Sequence, residues 1–358
     1  PISRLSSFAL RRSTERIYKK ANLHVTAGEL TYEWLEDWAA FPDSPSARAG
    51  WEHHGVIVAA SGDVIACHQG EATILVFSAD GSLTRSIPTD LLEVHSMTFA
   101  RFGDQMNLWV ADPGAKRSPD MKYEYPPGAR KGQAAKLDDD GNIVQSILAP
   151  GLPIYDGGVY SPTAVAVFDD PLGGNGDVWV ADGYGQSYLH RYDKDSNLIA
   201  SFNGEESDAG RFDTPHGLMI DTRKSDPELY VADRANNRIV VLDMEGQFKR
   251  VINSGVLSTP CAFATDGEIL AVAELRARVS LLDSEDRLIG YIGANEVVCD
   301  RPGWPNAFDE DGTPVRPPEE ALPPGKLNSP HGIAMDGTGS IYVPEWLIGG
   351  RFIKLQKG

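Results

Sequence analysis

The chain has 358 residues, of which 41% are apolar and 23% are charged, and its formal net charge at pH 7 is −18. This composition suits a globular protein with a substantial core, and no apolar run approaches the ~18 residues of a membrane-spanning helix. The acidic balance opposes binding to phosphate backbones and anionic lipid heads, so we expect neither nucleic acid nor a membrane as a partner.

The N-terminal segment and the cysteines bear on the compartment. Residues 1–22 are polar and arginine-rich, without the apolar stretch of a signal peptide, so we expect an N-terminal extension over residues 1–29 whose first part is helical or loose. The chain has three cysteines, Cys67, Cys261 and Cys299. An odd, sparse set provides no disulfide framework and favours a cytoplasmic protein. A secreted or periplasmic protein stays open, because the first residue is Pro1 rather than methionine.

A short motif recurs six times along the chain. Its clearest copies open with Thr214-Pro-His-Gly and Ser329-Pro-His-Gly, continue as an apolar strand, and are followed by a second strand ending in Val-x-acid. Weaker copies begin near residues 53, 94, 161 and 259. Most copies continue into a third and a fourth alternating strand, and four short strands per repeat are typical of a propeller blade. We therefore predict an all-β fold, a six-bladed β-propeller, and the regular β-branched spacing excludes a helical solenoid.

The sixth copy has room for only about three strands. An alternating segment at residues 30–38 can supply the missing outer strand, so we predict that an N-terminal strand closes the last blade and removes exposed sheet edges. The propeller then occupies residues 30–358 as a single domain. Insertions at residues 113–132 and 296–328 are either surface loops or a lid over one face, since long loops in compact domains are often functional.

Histidine occupies one repeat-equivalent position in four copies. The residue after the proline of the motif begins the innermost strand of its blade, which lines the central channel. Imidazole is the commonest neutral metal ligand, and three imidazoles with an open position are typical of a catalytic zinc site. This pattern predicts a metal site in the channel; the alternative is a repeat consensus in which the histidine caps a turn. Across the six copies, this position holds His54, His95, Thr163, His216, Cys261 and His331.

A second set of polar residues lies where the second strand of each copy ends. Tyr184 and Arg234 follow acidic residues there, and Gln69 takes the related place in the first copy. A tyrosine beside a metal can lose its proton below its usual pKa of ~10 and act as a base. An arginine can hold a carboxylate through a two-pronged bond. For Tyr184 or Arg234 alone, an ordinary surface position is an equal alternative.

At these residues the chain resembles the peptidyl-α-hydroxyglycine α-amidating lyase family, whose fold is a six-bladed propeller of NHL-type repeats. The likeness covers about residues 50–357 and is specific from 161 to 252. The matching segments are Pro162-Thr-Ala-Val-Ala-Val167, Asp182-Gly-Tyr184, Gly210-Arg-Phe212, Pro215-His216, Ala232-Asp-Arg-Ala-Asn-Asn-Arg-Ile239 and Ser329-Pro-His331.

The resemblance implies a metal-dependent lyase that cleaves a carbinolamide into an amide and glyoxylate. It places the zinc ligands of the family on His95, His216 and His331. It places the catalytic tyrosine on Tyr184 and one of two arginines on Arg234. By resemblance, the metal would polarise the substrate hydroxyl, ionised Tyr184 would take its proton, and Arg234 would bind the carboxyl end.

Three positions depart from the family pattern. Gln69 stands where the second arginine of the family falls, and His54 adds a fourth imidazole to the predicted metal residues. Gly332 stands where the family has a calcium-binding acid, so calcium would need backbone carbonyls. The metal cofactor we predict is zinc or another divalent transition metal, with calcium as a further candidate.

Three functions remain open from the sequence. The first is a metal-dependent lyase that cleaves a small hydroxylated, carbinolamide-like or peptide-like substrate in the channel. The second is a metal-dependent hydrolase or lactonase, which would need an open coordination position and a carboxylate base. The third is a non-catalytic NHL scaffold that binds protein and holds no tight metal.

Overall fold

The computed structural model describes residues 23–125, 132–252 and 255–358. Residues 1–22 of the predicted N-terminal extension, and residues 126–131 of the first predicted insertion, lie outside these ranges. Within them, no helix is both long enough and apolar enough to cross a membrane.

In the described ranges, five antiparallel four-stranded sheets follow one another along the chain, and each is one blade. They are preceded by strands β1 (His24–Ala27) and β2 (Leu30–Leu35) and the short helix α1 (Pro45–Ala49). Blade one contains β3 (Ile57–Val58), β4 (Val64–Cys67), β5 (Thr73–Phe77) and β6 (Leu83–Pro88). Blade two contains β7 (Ser96–Phe102), β8 (Gln105–Asp112), β9 (Gln133–Leu137) and β10 (Ile143–Ile147). Blade three contains β11 (Ala164–Val167), β12 (Val178–Asp182), β13 (Tyr188–Tyr192) and β14 (Leu198–Phe202). Blade four contains β15 (Pro215–Asp221), β16 (Glu228–Asp233), β17 (Arg238–Leu242) and β18 (Phe248–Ile252). Blade five contains β19 (Pro260–Thr265), β20 (Leu270–Glu274), β21 (Arg278–Leu282) and β22 (Leu288–Ile292).

The sixth blade joins the two ends of the described chain. After the hairpin of β23 (Ala307–Phe308) and β24 (Pro314–Val315), the blade takes β25 (Ala334–Met335), β26 (Ile341–Glu345) and β27 (Arg351–Lys357). Strand β2 pairs antiparallel with β27, with Trp34 opposite Leu355, and β1 adds a fifth strand outside β2. The six-bladed fold and its closure by an N-terminal strand are therefore confirmed. The sheet includes β1, which the boundary at residue 30 had assigned to the extension, because β1 and β2 form a hairpin.

The core is divided among the blades. Apolar clusters fill the spaces between neighbouring blades. Between blades one and two, for example, such a cluster includes Ile74 and Val110. Strands β12, β16 and β20 are buried along their whole length. A strand covered on both faces reads as a continuous apolar run rather than an alternating one, which explains the Val-x-acid strands of the repeat. Burial between blades therefore holds the inner strand ends in a fixed ring around the channel.

Short 3-10 helices and a hairpin occupy the connections. The second insertion carries β23 and β24. Within it, the side-chain oxygen of Asn306 accepts a hydrogen bond from the backbone N–H of Ile348 at 2.8 Å. The indole N–H of Trp304 donates to the carbonyl of Asn328 at 2.9 Å. The first bond fixes the insertion to the sixth blade, and the second links two parts of the insertion. The described 3-10 helices are Pro119–Met121, Pro153–Tyr155, Asp170–Leu172, Glu296–Asp300 and Glu319–Ala321.

Candidate metal centre

Four buried imidazole rings meet at the channel axis. They belong to His53, His95, His216 and His331, which lie at or just before the innermost strands of blades one, two, four and six. The ring centroid of His53 lies 4.6 Å from that of His95 and 4.5 Å from that of His331. The ring centroid of His216 lies 4.9 Å from that of His95 and 4.8 Å from that of His331. The ring of blades thus brings together residues that are far apart in sequence.

The hydroxyl group of Tyr184 lies among these rings. Tyr184 follows β12, and its oxygen is 3.0 Å from Nε2 of His53, 3.3 Å from Nε2 of His95 and 2.8 Å from Nε2 of His216. Nη1 of Arg234, which follows β16, donates to the same oxygen at 3.3 Å. Three imidazole nitrogens and one guanidinium therefore converge on a single phenol.

The second nitrogen of each of these three rings has its own partner. Nδ1 of His95 donates to the carbonyl of Thr163 at 2.6 Å, and Nδ1 of His216 donates to the carbonyl of Cys261 at 3.0 Å. Because a carbonyl only accepts, both rings carry their proton on Nδ1 and present a lone pair at Nε2. This arrangement is typical of metal-ligating histidines, whose other nitrogen is held by a carbonyl or carboxylate.

His53 follows the same rule through a carboxylate. Its Nδ1 lies 3.2 Å from Oε2 of Glu93, and Nζ of Lys116 lies 3.4 Å from the other Glu93 oxygen. Although burial opposes the charged form, the charge of Lys116 and the hydrogen bond from Nδ1 of His53 hold the pKa of Glu93 well below its usual range. Glu93 is therefore ionised, accepts the Nδ1 proton of His53, and leaves a lone pair at Nε2 of that ring.

The lone pairs outnumber the protons available to them. The Tyr184 hydroxyl can donate only one hydrogen bond, yet three Nε2 atoms face it. Both ring nitrogens of His331 are buried and without a hydrogen-bond partner in the described structure. Burial lowers the pKa of each of these imidazoles, so they are neutral. A cation would satisfy this surplus of lone pairs, and the donor set therefore fits a metal ion.

One group of ligands has the closest mutual spacing. The nearest ligand atoms of His53, His95 and His331 all lie within 4.8 Å of one another, so these three buried side chains could hold a metal ion. His95 and His331 belong both to this group and to the set implied by the family resemblance. His216 differs because its Nε2 contacts Tyr184 at 2.8 Å. The structure thus brings three of the four predicted metal residues to the axis.

His54 and Gln69 are placed elsewhere. Nδ1 of His54 lies 3.0 Å from a Glu52 carboxylate oxygen, and its Nε2 lies 3.2 Å from Nζ of Lys116. His54 therefore faces a buried charged network, and the neighbouring His53 takes the axial place that the repeat alignment gave to His54. The physical reason is that consecutive residues of an extended segment project to opposite sides. Gln69 is buried and lies against Gly350. It is not among the described residues that line the cavity beside Tyr184 and Arg234.

A cavity of about 390 Å³ opens above Tyr184. Burial raises the pKa of Tyr184, and the charge of Arg234 opposes this rise. The phenol is therefore protonated unless further positive charge is added beside it. The residues that line the cavity are His53, Arg117, Tyr125, Gly183, Tyr184, Thr214, Arg234, Leu275 and Trp346.

Sequence reasoning missed His53, Glu93 and Arg117. For His53 a signal existed in the His-His pair, since either member could face the axis. Glu93 lies two residues before His95. This spacing does not predict its contact with His53, which belongs to another blade. Arg117 lies in an insertion outside the repeat, where no alignment between copies guides the choice.

Comparison with known proteins supports the resemblance at a distance. No protein-family model matches the chain. NHL repeat-containing protein 3 from Homo sapiens is 25% identical over 236 residues, which cover 63% of this chain and 61% of that protein. A probable peptidyl-alpha-hydroxyglycine alpha-amidating lyase from Caenorhabditis elegans is 30% identical over 212 residues, covering 57% and 49%. The matches span less than two thirds of either relative.

Solved structures share the architecture. Streptogramin B lyase superposes with a TM-score of 0.53 at 15% identity, covering 89% of this chain and 96% of that one. A catalytically inactive virginiamycin B lyase from Staphylococcus aureus, solved with quinupristin, gives 0.50 at 14% identity, covering 86% and 96%. At this identity they show the fold alone. By repeat, topology and distant homology, the chain is an NHL-repeat β-propeller related to NHL repeat-containing protein 3 and to amidating-lyase-like proteins.

Proposed function

We propose that the protein is a metal-dependent lyase that cleaves a small hydroxylated, carbinolamide-like substrate in the channel. The observation that carries this proposal is the position of the Tyr184 hydroxyl, within hydrogen-bond distance of three imidazole Nε2 atoms and of Nη1 of Arg234. The distant homology to a probable amidating lyase supports the same chemistry.

The metal would be held by His53, His95 and His331, with His216 as a further donor. Zinc suits a site of neutral imidazoles, and calcium, which prefers oxygen ligands, stays a separate proposal at backbone carbonyls. When bound, the ion supplies positive charge that polarises a substrate hydroxyl and lowers the pKa of a neighbouring phenol.

Tyr184 would act as the base. In its ionised form it takes the proton of the substrate hydroxyl, while the guanidinium of Arg234 stabilises the phenolate. The oxygen left behind becomes a carbonyl as the adjacent C–N bond breaks, and the proton returns from Tyr184 to the departing amide nitrogen. One carbinolamide thus yields one amide and one aldehyde, with no net gain or loss of protons or electrons.

The cavity favours this chemistry over hydrolysis. A hydrolase of this site would need a carboxylate base, and none of the described residues that line the cavity is Asp or Glu. Glu93, the nearest acid that we identify, is bonded to the far nitrogen of His53 and to Lys116. A tyrosine base therefore fits the lining better than a carboxylate base.

The test uses protein stripped of metal with a chelator and then reloaded with zinc. Both forms are incubated with benzoyl-α-hydroxyglycine and, separately, with a simple lactone. We expect equimolar benzamide and glyoxylate from the reloaded form only. Lactone hydrolysis without glyoxylate release would favour the hydrolase. Failure to bind zinc together with no turnover would favour the non-catalytic scaffold.

A further inference from the structure

Tyr184 lies on a tight turn between β12 and β13 that one carboxylate holds together. Asp182, the last residue of β12, is fully buried. Its Oδ1 accepts a hydrogen bond from the backbone N–H of Ser161 at 2.6 Å, and its Oδ2 accepts one from the backbone N–H of Gln186 at 2.7 Å. The backbone N–H of Tyr184 donates to the carbonyl of Ser161 at 3.2 Å. The carboxylate of Asp182 thus binds the chain on both sides of the Tyr184 backbone.

The turn packs closely against this carboxylate. A Cβ atom at Gly185 would clash with Oδ1 of Asp182 and with the carbonyl of Val159. The backbone N–H of Ser187 donates to the carbonyl of Asp182 at 3.0 Å. The place of the Tyr184 side chain therefore depends on where the Asp182 side chain is held.

Asp182 lacks the cationic partner that the equivalent acid has in the last three blades. Tyr188 lies opposite Asp182 across the β12–β13 hairpin, where blade four has Arg238 opposite Asp233. No lysine or arginine of the described ranges affects the ionisation of Asp182. A buried carboxylate without a counter-ion is costly unless hydrogen bonds stabilise its charge. The acid–arginine pairs of blades four to six are Asp233 with Arg238 at 2.6 Å, Glu274 with Arg278 at 3.0 Å and Glu345 with Arg351 at 3.1 Å.

Two other side chains take the place of the arginine in blade three. The hydroxyl of Tyr155, which lies in the connection before β11, donates to Oδ2 of Asp182 at 2.7 Å. The same hydroxyl oxygen lies 2.7 Å from Nε2 of His190 on β13. Nδ1 of His190 lies 2.8 Å from Oγ of Ser201 on β14. A chain of hydrogen bonds therefore runs from the outer strand of the blade to the carboxylate beside Tyr184.

The protons of this chain have one consistent arrangement while Asp182 is ionised. Tyr155 has a single hydroxyl proton and donates it to the carboxylate, so Nε2 of His190 carries a proton and donates to the Tyr155 oxygen. Burial lowers the pKa of His190 to about 4, so the ring is neutral and accepts at Nδ1 from Ser201. Every donor of the chain points toward Asp182, and together they stabilise its charge.

The surroundings of Asp182 make its charge sensitive to these bonds. Burial raises the pKa of Asp182 to about 6, although hydrogen bonds from Ser161, Gln186 and Tyr155 oppose the rise. The other titratable side chains that face its charge are Tyr160 and Tyr192, and burial raises the pKa of both, so they are neutral. The Tyr155 hydroxyl is therefore the side-chain donor on which this carboxylate depends.

We propose that Tyr155 and Asp182, supported by His190, position Tyr184 between the imidazoles of the candidate metal centre. They are positioning residues, since neither is among the described residues that line the cavity above Tyr184. Without the Tyr155 hydroxyl, the buried carboxylate loses a donor, and the turn that it holds shifts the phenol away from the axis. The role of Tyr184 as a base rests on the proposed function, although the position of its phenol can be measured without turnover.

The first test uses NMR of protein labelled with ¹³C at Cζ of tyrosine, with the two signals identified by their loss in Tyr155→Phe and Tyr184→Phe. In metal-free wild type, we expect the Tyr155 signal to shift with a midpoint near pH 6, the pKa of its partner carboxyl group. The signal should not shift over this range in Asp182→Asn. Addition of zinc at neutral pH should move the Tyr184 signal of the wild type, and should move that of Tyr155→Phe less.

The second test measures glyoxylate release from benzoyl-α-hydroxyglycine by the zinc-loaded protein. We expect Tyr155→Phe to lower kcat by about 10- to 100-fold, because a misplaced base slows the chemical step. KM and zinc affinity should stay within about twofold, because the residues that bind substrate and metal are unchanged. Tyr291→Phe, which removes a hydroxyl bonded to the carbonyl of Val256, is the matched control. A variant of fully buried Asp182 can fail to fold, and the wild-type titration and Tyr155→Phe then decide the outcome.

The results separate this proposal from the proposed function. A Tyr155 signal that does not respond to pH, or that titrates alike in Asp182→Asn, would overturn the link between Tyr155 and Asp182. No effect of zinc on the Tyr184 signal of the wild type, or an equal effect in Tyr155→Phe, would overturn the positioning role, as would an unchanged kcat. The expected NMR results without glyoxylate release would contradict the lyase and leave Tyr155 and Asp182 as the residues that position Tyr184.

Discussion

Oε2 of Glu93 lies 3.2 Å from Nδ1 of His53, on the side of the ring away from Nε2, which contacts Tyr184. The two residues belong to different blades, and both are buried. A carboxylate in this position fixes the orientation of the ring and increases its basicity as a ligand. Glu93 is therefore a positioning residue for the candidate metal centre.

Replacement of Glu93 should weaken metal binding without removing a ligand. We expect Glu93→Gln to lower zinc affinity by about 10- to 100-fold, as measured by competition with a chromogenic chelator. Glu268→Gln, which changes an exposed acid on blade five, is the matched control. Equal zinc affinity in Glu93→Gln and the control would show that His53 does not depend on this carboxylate or is not a ligand.

The histidines differ in their expected effect on metal content. His331→Ala should lower zinc affinity by more than about tenfold, because it removes a donor of the close-spaced group. His54→Gln should keep stoichiometric zinc, because His54 faces Glu52 and Lys116. Elemental analysis of the two purified variants checks both outcomes. Loss of zinc in His54→Gln alone would return His54 to the ligand set.

Tyr184→Phe separates catalysis from metal binding. We expect kcat for glyoxylate release to fall by about 10²- to 10⁴-fold, the usual contribution of a positioned acid or base, while zinc content is unchanged. Tyr291→Phe, whose hydroxyl donates to the carbonyl of Val256 in blade five, is the control. Turnover at the wild-type rate in Tyr184→Phe would exclude the tyrosine as the base.

Closure of the ring should depend on Trp34. This residue of β2 is buried against the last blade, and truncation of a buried tryptophan typically costs about 3–5 kcal/mol. We therefore expect Trp34→Ala to lower the free energy of unfolding in urea by that amount. Leu83→Ala on β6, where the side chain is 37% exposed, should cost less than about 1 kcal/mol. Similar losses in the two variants would argue against a special role for the closing strand.

The third blade contains a pH-sensitive residue. Burial lowers the pKa of His190 to about 4, and its ring nitrogens contact Tyr155 and Ser201. The unfolded chain takes up this proton near pH 6.5, well before the folded chain does. Its contribution is therefore present above pH 6.5 and lost as the pH falls through 4, by about 3 kcal/mol in all.

His190→Gln should remove this dependence. We expect the difference in unfolding free energy between the wild type and His190→Gln to shift against the wild type by up to about 3 kcal/mol from pH 7 to pH 4. Urea titrations of both proteins across this range give the difference and cancel contributions from other groups. Parallel curves would mean that His190 titrates alike in the folded and unfolded chain.

The architecture was predictable because the information for it is local and repeated. Each blade carries its own strand pattern and turns, so six copies of the motif predicted six blades. The alternating segment at residues 30–38 predicted the strand that pairs with β27. Three of the predicted metal residues, together with Tyr184 and Arg234, lie at the axis because equivalent positions of every blade meet there.

What only the tertiary structure decided is which side chains face the axis and what lies behind them. The choice between His53 and His54 is a shift of one residue in an extended segment, and such a shift exchanges the two sides. The contact of Glu93 with His53 depends on packing between blades, and the position of Arg117 depends on an insertion outside the repeat. The sequence by itself determined the ring and the histidines that line its centre, because both follow from a local period. The ligand set and the charges that surround it depend on contacts between blades, which no local period records.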